Sequence, residues 1–287
     1  MRPYQLGLYE KAMPNRLSLQ EKLLAAKQAG YDYVELSIDE SDEKLKRLDW
    51  GQEDLRCLQE AVWNAGIGVK SICLSAHRKY PLGHPDEAVR KQSLCIMQKA
   101  IWLAARTGIR LIQLAGYDVY YEPSTQATGE SFAQGLGASV KMAAREGVVL
   151  AFETMETEFM NTVAKATKWV NRINSPYLQV YPDIGNVTNA ALQGGASAEE
   201  DLAAGQGHIA AVHLKETAPG VYREVAYGAG HVDFKAAALE SLRLGARMFV
   251  GEFWHLQEEN WPGVLRSNNE FLRRVLDEAA RELSITI

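Results

Sequence analysis

No run of apolar residues in this 287-residue chain approaches the roughly 20 that a helix needs to cross a bilayer, so no membrane span is expected. Cysteine is scarce. Cys57, Cys73 and Cys95 make an odd number with no C-x-x-C pair. That pattern argues against a disulfide framework and for free thiols in a reducing cytoplasm. The opening Met1-Arg2-Pro3-Tyr4-Gln5-Leu6 holds no long apolar segment, so no secretory leader is expected either. There is no basic excess: 31 Lys and Arg stand against 36 Asp and Glu, a net charge of −5. A nucleic-acid surface usually needs the opposite balance, so nucleic acid is not the expected partner. No Pro/Gly/Ser-rich linker divides the chain, and no Walker-type glycine loop is present. With 47% hydrophobic residues there is material for one large core, and a single domain spanning 1–287 is expected.

What is present is a recurring phrase: the end of a helical pattern, a glycine, then a β-branched apolar run. It appears as Ala29-Gly30-Tyr31-Asp32-Tyr33-Val34, Ala65-Gly66-Ile67-Gly68-Val69 and Thr107-Gly108-Ile109-Arg110-Leu111. It returns as Glu146-Gly147-Val148-Val149 and Leu244-Gly245-Ala246-Arg247-Met248. Glycine ends a helix readily because it tolerates the left-handed conformation, and the chain can then enter a strand at once. The pattern predicts strands at 5–10, 33–38, 69–75, 110–115, 148–153, 178–183, 209–214 and 247–253. Helices are predicted between them, including 88–106, 131–145, 162–173, 234–244 and 265–283. Eight β-then-α units predict a (β/α)₈ TIM barrel. The longer loops at 39–51, 77–86 and 215–232 each follow a strand, which places them on the face where barrels keep their chemistry.

The last four predicted strands each deliver one ionisable group near that face: Glu153, Asp183, His213 and Glu252. Alone, each has an ordinary reading, such as a rim salt bridge, a turn cap or a satisfied core histidine. Together they would bring three carboxylates to one point, where they repel unless a cation compensates them. An O₃N donor set suits one divalent ion, Mn²⁺, Co²⁺, Mg²⁺ or Zn²⁺, better than a thiolate-bound structural zinc.

These residues, with Asp183-Ile184-Gly185-Asn186 and Val212-His213-Leu214-Lys215-Glu216, resemble the xylose-isomerase-like barrel superfamily. Within it the chain is similar to the L-ribulose-5-phosphate 3-epimerase family, also called L-xylulose-5-phosphate 3-epimerase. The phrases that carry this likeness include Leu8-Tyr9-Glu10-Lys11-Ala12, Arg47-Leu48-Asp49-Trp50, Leu74-Ser75-Ala76-His77-Arg78 and Gly116-Tyr117-Asp118-Val119-Tyr120-Tyr121. The resemblance implies a small phosphorylated ketopentose as substrate, Mn²⁺ foremost among the ions, a homodimer, and a place in pentose and ascorbate catabolism. It also implies epimerisation at C3 through an enediolate, with Glu153 and Glu252 as the acid and base on its two faces.

The free-ketose 3-epimerases of the superfamily often carry a histidine three residues after the strand-six Asp; Asn186 stands there in this chain. Expected substrate-binding residues are Ser75, His77, Arg78, Glu156, Asn186, Lys215 and Arg223, with Arg suited to bidentate phosphate recognition. Arg110, Lys141, Lys168 and Arg273 are expected at the surface. The aromatics Tyr117, Tyr120, Tyr121, Phe253 and Trp254 fit a pocket wall or a subunit contact. Rival readings are a free-ketose epimerase or aldose–ketose isomerase, an abasic-site phosphodiesterase, and a non-catalytic sugar-binding barrel. The phosphodiesterase chemistry asks for many histidines, and this chain has six.

Overall fold

The computed structural model describes residues 2–285 apart from 195. Its parallel strands are β1 (Gln5–Tyr9), β2 (Tyr33–Ser37), β3 (Gly68–Leu74), β4 (Leu111–Ala115), β5 (Val149–Glu153), β6 (Leu178–Tyr181), β7 (Val212–Leu214) and β8 (Met248–Gly251). They lie in the order β6-β5-β4-β3-β2-β1-β8-β7. Single bridges, Val180 to Ile209 and Asp183 to His213, span the remaining seam between β6 and β7. The result is a TIM barrel, as the β/α alternation predicts.

Around it, among the described residues, run α1 (Leu19–Gln28), α2 (Asp42–Leu45), α3 (Gln52–Ala65), α4 (Glu87–Thr107), α5 (Gln126–Glu146), α6 (Val163–Ile173), α7 (Ile184–Ala191), α8 (Ala198–Ala203), α9 (Phe234–Arg243) and α10 (Trp261–Glu282). No helix is long and apolar enough to cross a membrane among the described residues. All five glycines of the recurring phrase have positive φ, between 62° and 92°. The clearest boundary difference is at α5, which starts five residues before the predicted 131. The Thr125 side chain accepts from Thr128 N and caps the extra turn, a signal that Gly129 obscures in the periodicity. β7 is shorter than expected because Ile209 makes only an isolated bridge across the seam.

Side chains alternate across a strand, so one parity of each strand enters the barrel. Tyr33 enters this way, and its hydroxyl donates to Phe249 O at 2.9 Å. Gly7 makes room for it, since a Cβ there would lie 2.4 Å from the Tyr33 ring. The same parity brings in Glu35 from β2, Ser71 from β3 and Gln113 from β4, all buried. On the later strands it brings in Glu153 and His213, and just past the strand ends Asp183 and Glu252. The interior is apolar below, at Leu111, Ala151, Ala211 and Val250, and polar above.

Two ionic clamps hold the outer layer. Glu10, buried just past β1, accepts from Lys22 of α1 at 2.8 Å, Lys44 of α2 at 2.7 Å, and Arg47 at 2.5 and 2.8 Å. Arg273 corrects a sequence expectation. It is buried on α10, donating to Asp32 at 2.8 Å and Gly30 O at 3.1 Å, and so ties the last helix to the α1–β2 loop.

Candidate metal centre and active site

Glu153, Asp183, His213 and Glu252 meet at the C-terminal mouth of the barrel. One ligand atom from each lies within 4.8 Å of all the others, and all four residues are buried. His213 Nδ1 is 3.0 Å from Glu153 Oε1 and 3.3 Å from Glu252 Oε2. Lys215, two residues further along and therefore on the same face, puts Nζ 2.9 Å from Asp183 Oδ2 and 3.7 Å from Glu252 Oε2. These two carboxylate oxygens accept no well-formed hydrogen bond despite full burial. Asp183 also uses Oδ1 to cap α7, accepting from Asn186 N at 2.7 Å, so its turn-capping and site-facing roles occupy different oxygens.

The electrostatics follow from crowding. Burial, reinforced by the Glu252 charge, raises the Glu153 carboxyl above the usual range. Burial also raises Asp183 well above it, against the pull of Lys215. Glu252 goes the other way: burial is outweighed by Lys215 and His213, which hold it well below the ordinary carboxylate range. Burial would discharge His213, but Glu35 and Glu252 raise its pKa instead. Four buried carboxylates, counting Glu35, face one lysine and one imidazole. An arrangement so rich in acceptors offers three oxygens and a nitrogen to a divalent cation, and the Asp183 and Glu252 oxygens, which are ion-paired to Lys215 and His213 but accept no well-formed hydrogen bond, fit that group.

Above the cluster opens a cleft of ≈ 540 Å³, counting its open mouth. Ser75, Arg78, Glu156, Asn186, Lys215 and Arg223 all line it. Arg78 lies 4.7 Å over the Tyr120 ring and Arg223 5.5 Å over the Trp254 ring, which keeps both guanidiniums at the mouth. Glu156 is fixed by Tyr120, whose hydroxyl donates to it at 2.9 Å. Asn186 is less free than its sequence position suggests. Its Nδ2 donates to Thr154 O at 2.7 Å and its Oδ1 accepts from Lys215 Nζ at 2.8 Å. Lys215 is thereby drawn down beside the carboxylates, away from the open mouth.

His77 does not join the residues that line the cleft. Its ring turns outward beneath α4, with Nε2 3.2 Å from Ser93 O. Burial lowers its pKa to about 4, so it is neutral near pH 7 and offers no charge to a phosphate.

Sequence reading overlooked three contributors. Glu35 reaches His213 Nε2 at 2.7 Å. Gln113 donates to Glu153 Oε2. Lys11 lines the cleft and pairs with Asp39 at 2.5 Å. The signal for the first two was a polar residue inside an apolar strand, Val34-Glu35-Leu36 and Ile112-Gln113-Leu114, in the same parity as the metal-site residues.

The loop carrying Arg223 is built on Glu216, which accepts from Thr217 N at 3.1 Å, Gly228 N at 2.9 Å and Val232 N at 3.2 Å. A Cβ at Gly230 would come within 2.0 Å of Thr217 O, so only glycine lets this loop close. Of the aromatics, Tyr117 and Trp254 wall the cleft, Phe253 packs 5.8 Å from Tyr227, and Tyr121 reaches Glu40 at 3.2 Å.

Fold and cluster together define a class, the xylose isomerase-like TIM barrels, and that family matches residues 23–275. UlaE of Escherichia coli O139:H28, an L-ribulose-5-phosphate 3-epimerase, is 49% identical over 80% of this chain and 80% of its own length. SgbU of Escherichia coli K12 is 46% identical over 88% of this chain and 90% of its own. The chain belongs to the L-ribulose-5-phosphate 3-epimerase family and is an enzyme of the isomerase class. A solved L-ribulose 3-epimerase superposes with a TM-score of 0.76 over 98% of this chain and 97% of its own, at 18% identity, a likeness of fold.

Proposed function

We propose that this enzyme interconverts L-ribulose 5-phosphate and L-xylulose 5-phosphate by inverting C3. One observation carries the reading: Glu153 and Glu252 enter from β5 and β8 around a common point, beneath a cleft whose mouth holds Arg78 and Arg223. Inversion at a carbon next to a carbonyl needs one group to take the proton from one face and another to return a proton to the opposite face. Glu153 and Glu252 are those two groups, one ionised while the other is protonated. Glu153, Asp183, His213 and Glu252 would hold the divalent ion, Mn²⁺ foremost, whose contribution when bound is Lewis-acid polarisation of the C2 carbonyl. Gln113 steadies Glu153, and Glu156 accepts a hydrogen bond from a substrate hydroxyl near C1 to C3. The enzyme acts as a homodimer in pentose and ascorbate catabolism.

The test is proton NMR in D₂O with Mn²⁺-loaded protein and L-xylulose 5-phosphate. Deuterium should enter C3 as L-ribulose 5-phosphate appears. Absence of exchange in metal-loaded protein, with turnover of free ketoses instead, would replace this substrate by an unphosphorylated one.

The phosphate belongs at the mouth. Arg78 and Arg223 have no carboxylate within salt-bridge distance among the described residues, and Arg78 Nε is buried without a partner. A charge-assisted contact to a guanidinium contributes about 1.5–3 kcal/mol. Arg78→Ala and Arg223→Ala should each raise KM for L-ribulose 5-phosphate about 10- to 100-fold while changing kcat much less. Turnover of free L-ribulose is the control. An equal loss with both substrates would move the phosphate elsewhere.

A further inference from the structure

We infer that Glu35 is a positioning residue for His213, acting from across the barrel to present Nδ1 to the bound metal. The inference rests on the metal reading above. Glu35 sits mid-strand on β2 with no exposure to solvent, while His213 stands on β7, three steps around the sheet. Its carboxylate spans the barrel interior, and both oxygens are committed. Oε1 faces His213 Nε2 at 2.7 Å. Oε2 accepts from Ser71 Oγ at 2.7 Å and from Tyr181 OH at 2.9 Å.

A carboxylate oxygen can only accept, so the imidazole nitrogen facing it carries the hydrogen. Nδ1 points at the Glu153 and Glu252 carboxylates; with the hydrogen of Nε2 held by Glu35, Nδ1 is the nitrogen that gives up its hydrogen and offers its lone pair when a cation binds among them. Ring orientation is fixed by the same neighbourhood, because the Tyr181 ring packs against the imidazole at 4.6 Å. Tyr181 therefore acts twice, on the ring directly and on the carboxylate that holds it. Partners of this kind commonly set metal affinity by 10- to 100-fold.

A plain structural ion pair would use the same contacts, so the test must read the metal. Purified Glu35→Gln and Glu35→Ala would be compared with wild type by Mn²⁺ titration, by the visible spectrum of the Co²⁺ form, and by kcat at saturating Mn²⁺. In Glu35→Gln the amide oxygen can still accept from Nε2 only if the amide nitrogen faces Ser71 and Tyr181, whose hydroxyls must then turn to accept, and the carboxylate charge on the imidazole is lost in either orientation. Facing Nε2, the amide nitrogen would favour the tautomer whose hydrogen blocks Nδ1.

The expected result is a Mn²⁺ Kd raised about 10- to 100-fold in Glu35→Ala, a smaller rise in Glu35→Gln, and altered Co²⁺ bands in both. kcat at saturating Mn²⁺ should recover most of the wild-type value, which separates positioning from catalysis. Unchanged Kd and Co²⁺ spectrum in folded variants would overturn the inference and leave Glu35 as a structural pair. Should Glu35→Ala fail to fold, the near-isosteric Glu35→Gln decides by the same readings. Wild-type protein that binds neither Mn²⁺ nor Co²⁺ would instead overturn the metal reading beneath it.

Discussion

Replacing Glu153 or Glu252 by glutamine should stop epimerisation while leaving part of the proton chemistry intact. Glutamine keeps the side-chain volume and one ligating oxygen but cannot carry the proton. Removing a positioned acid or base typically costs 10²- to 10⁴-fold, so kcat at saturating Mn²⁺ should fall by about that factor in each variant. The informative readout is C3 exchange in D₂O. The remaining glutamate can still take and return a proton on its own face. One variant should therefore exchange C3 of L-ribulose 5-phosphate without forming product, and the other should do so with L-xylulose 5-phosphate. The two variants together assign a face to each glutamate. Epimerisation near the wild-type rate in either variant would remove the two-base assignment. Loss of Mn²⁺ affinity by itself would be read separately, by titration, because both residues also belong to the ligand cluster.

The four-residue cluster was legible in the sequence because three features coincide there. Each residue lies within or just past the C-terminal part of an apolar strand, each has the inward parity, and the four fall on consecutive strands that the barrel makes neighbours. The eight strands were legible for a similar reason, since the glycine turns recur at matching places and all five adopt the left-handed conformation they imply.

What sequence could not supply is which partners meet across the barrel. Glu35 precedes His213 by 178 residues, and nothing local marks them as bonded. His77 shows the converse. It neighbours Arg78 in the chain, yet a 3₁₀ turn over Ser75–Arg78 sends one side chain under α4 and the other into the cleft. Arg273 looked solvated because its helix is amphipathic, but its guanidinium finds Asp32 at the opposite end of the sequence. The phrases around Glu10 and Arg47 carried the family likeness without revealing that they contact each other.

That contact underlies the largest stability effect expected in the molecule. Glu10 is fully buried, and the Lys22 and Lys44 side chains are 2% and 4% exposed. Glu10 also accepts from Ser37 N at 2.9 Å, so one carboxylate ties α1, α2, the turn carrying Arg47 and the end of β2 together. Burial would raise its pKa, but Arg47, Lys22 and Lys44 hold it well below the ordinary range. Breaking a buried pair from one side strands the other charges, which costs about 3–5 kcal/mol. Glu10→Gln strands three cations at once, so the loss should reach at least the upper part of that range, read as a shift in the urea midpoint at pH 7. Lys22→Met should cost much less, because Glu10 keeps two cationic partners.

The pH dependence has a definite sign. A carboxyl with a depressed folded-state pKa contributes fully above its unfolded value, near 4.3, and loses that contribution as pH falls below it. Wild type should therefore lose stability on acidification through that window more steeply than Glu10→Gln, and the two curves should converge toward low pH. A Glu10→Gln variant within about 1 kcal/mol of wild type at pH 7, the scale of an exposed ion pair, would show that this buried cluster holds the fold no more firmly than a surface one.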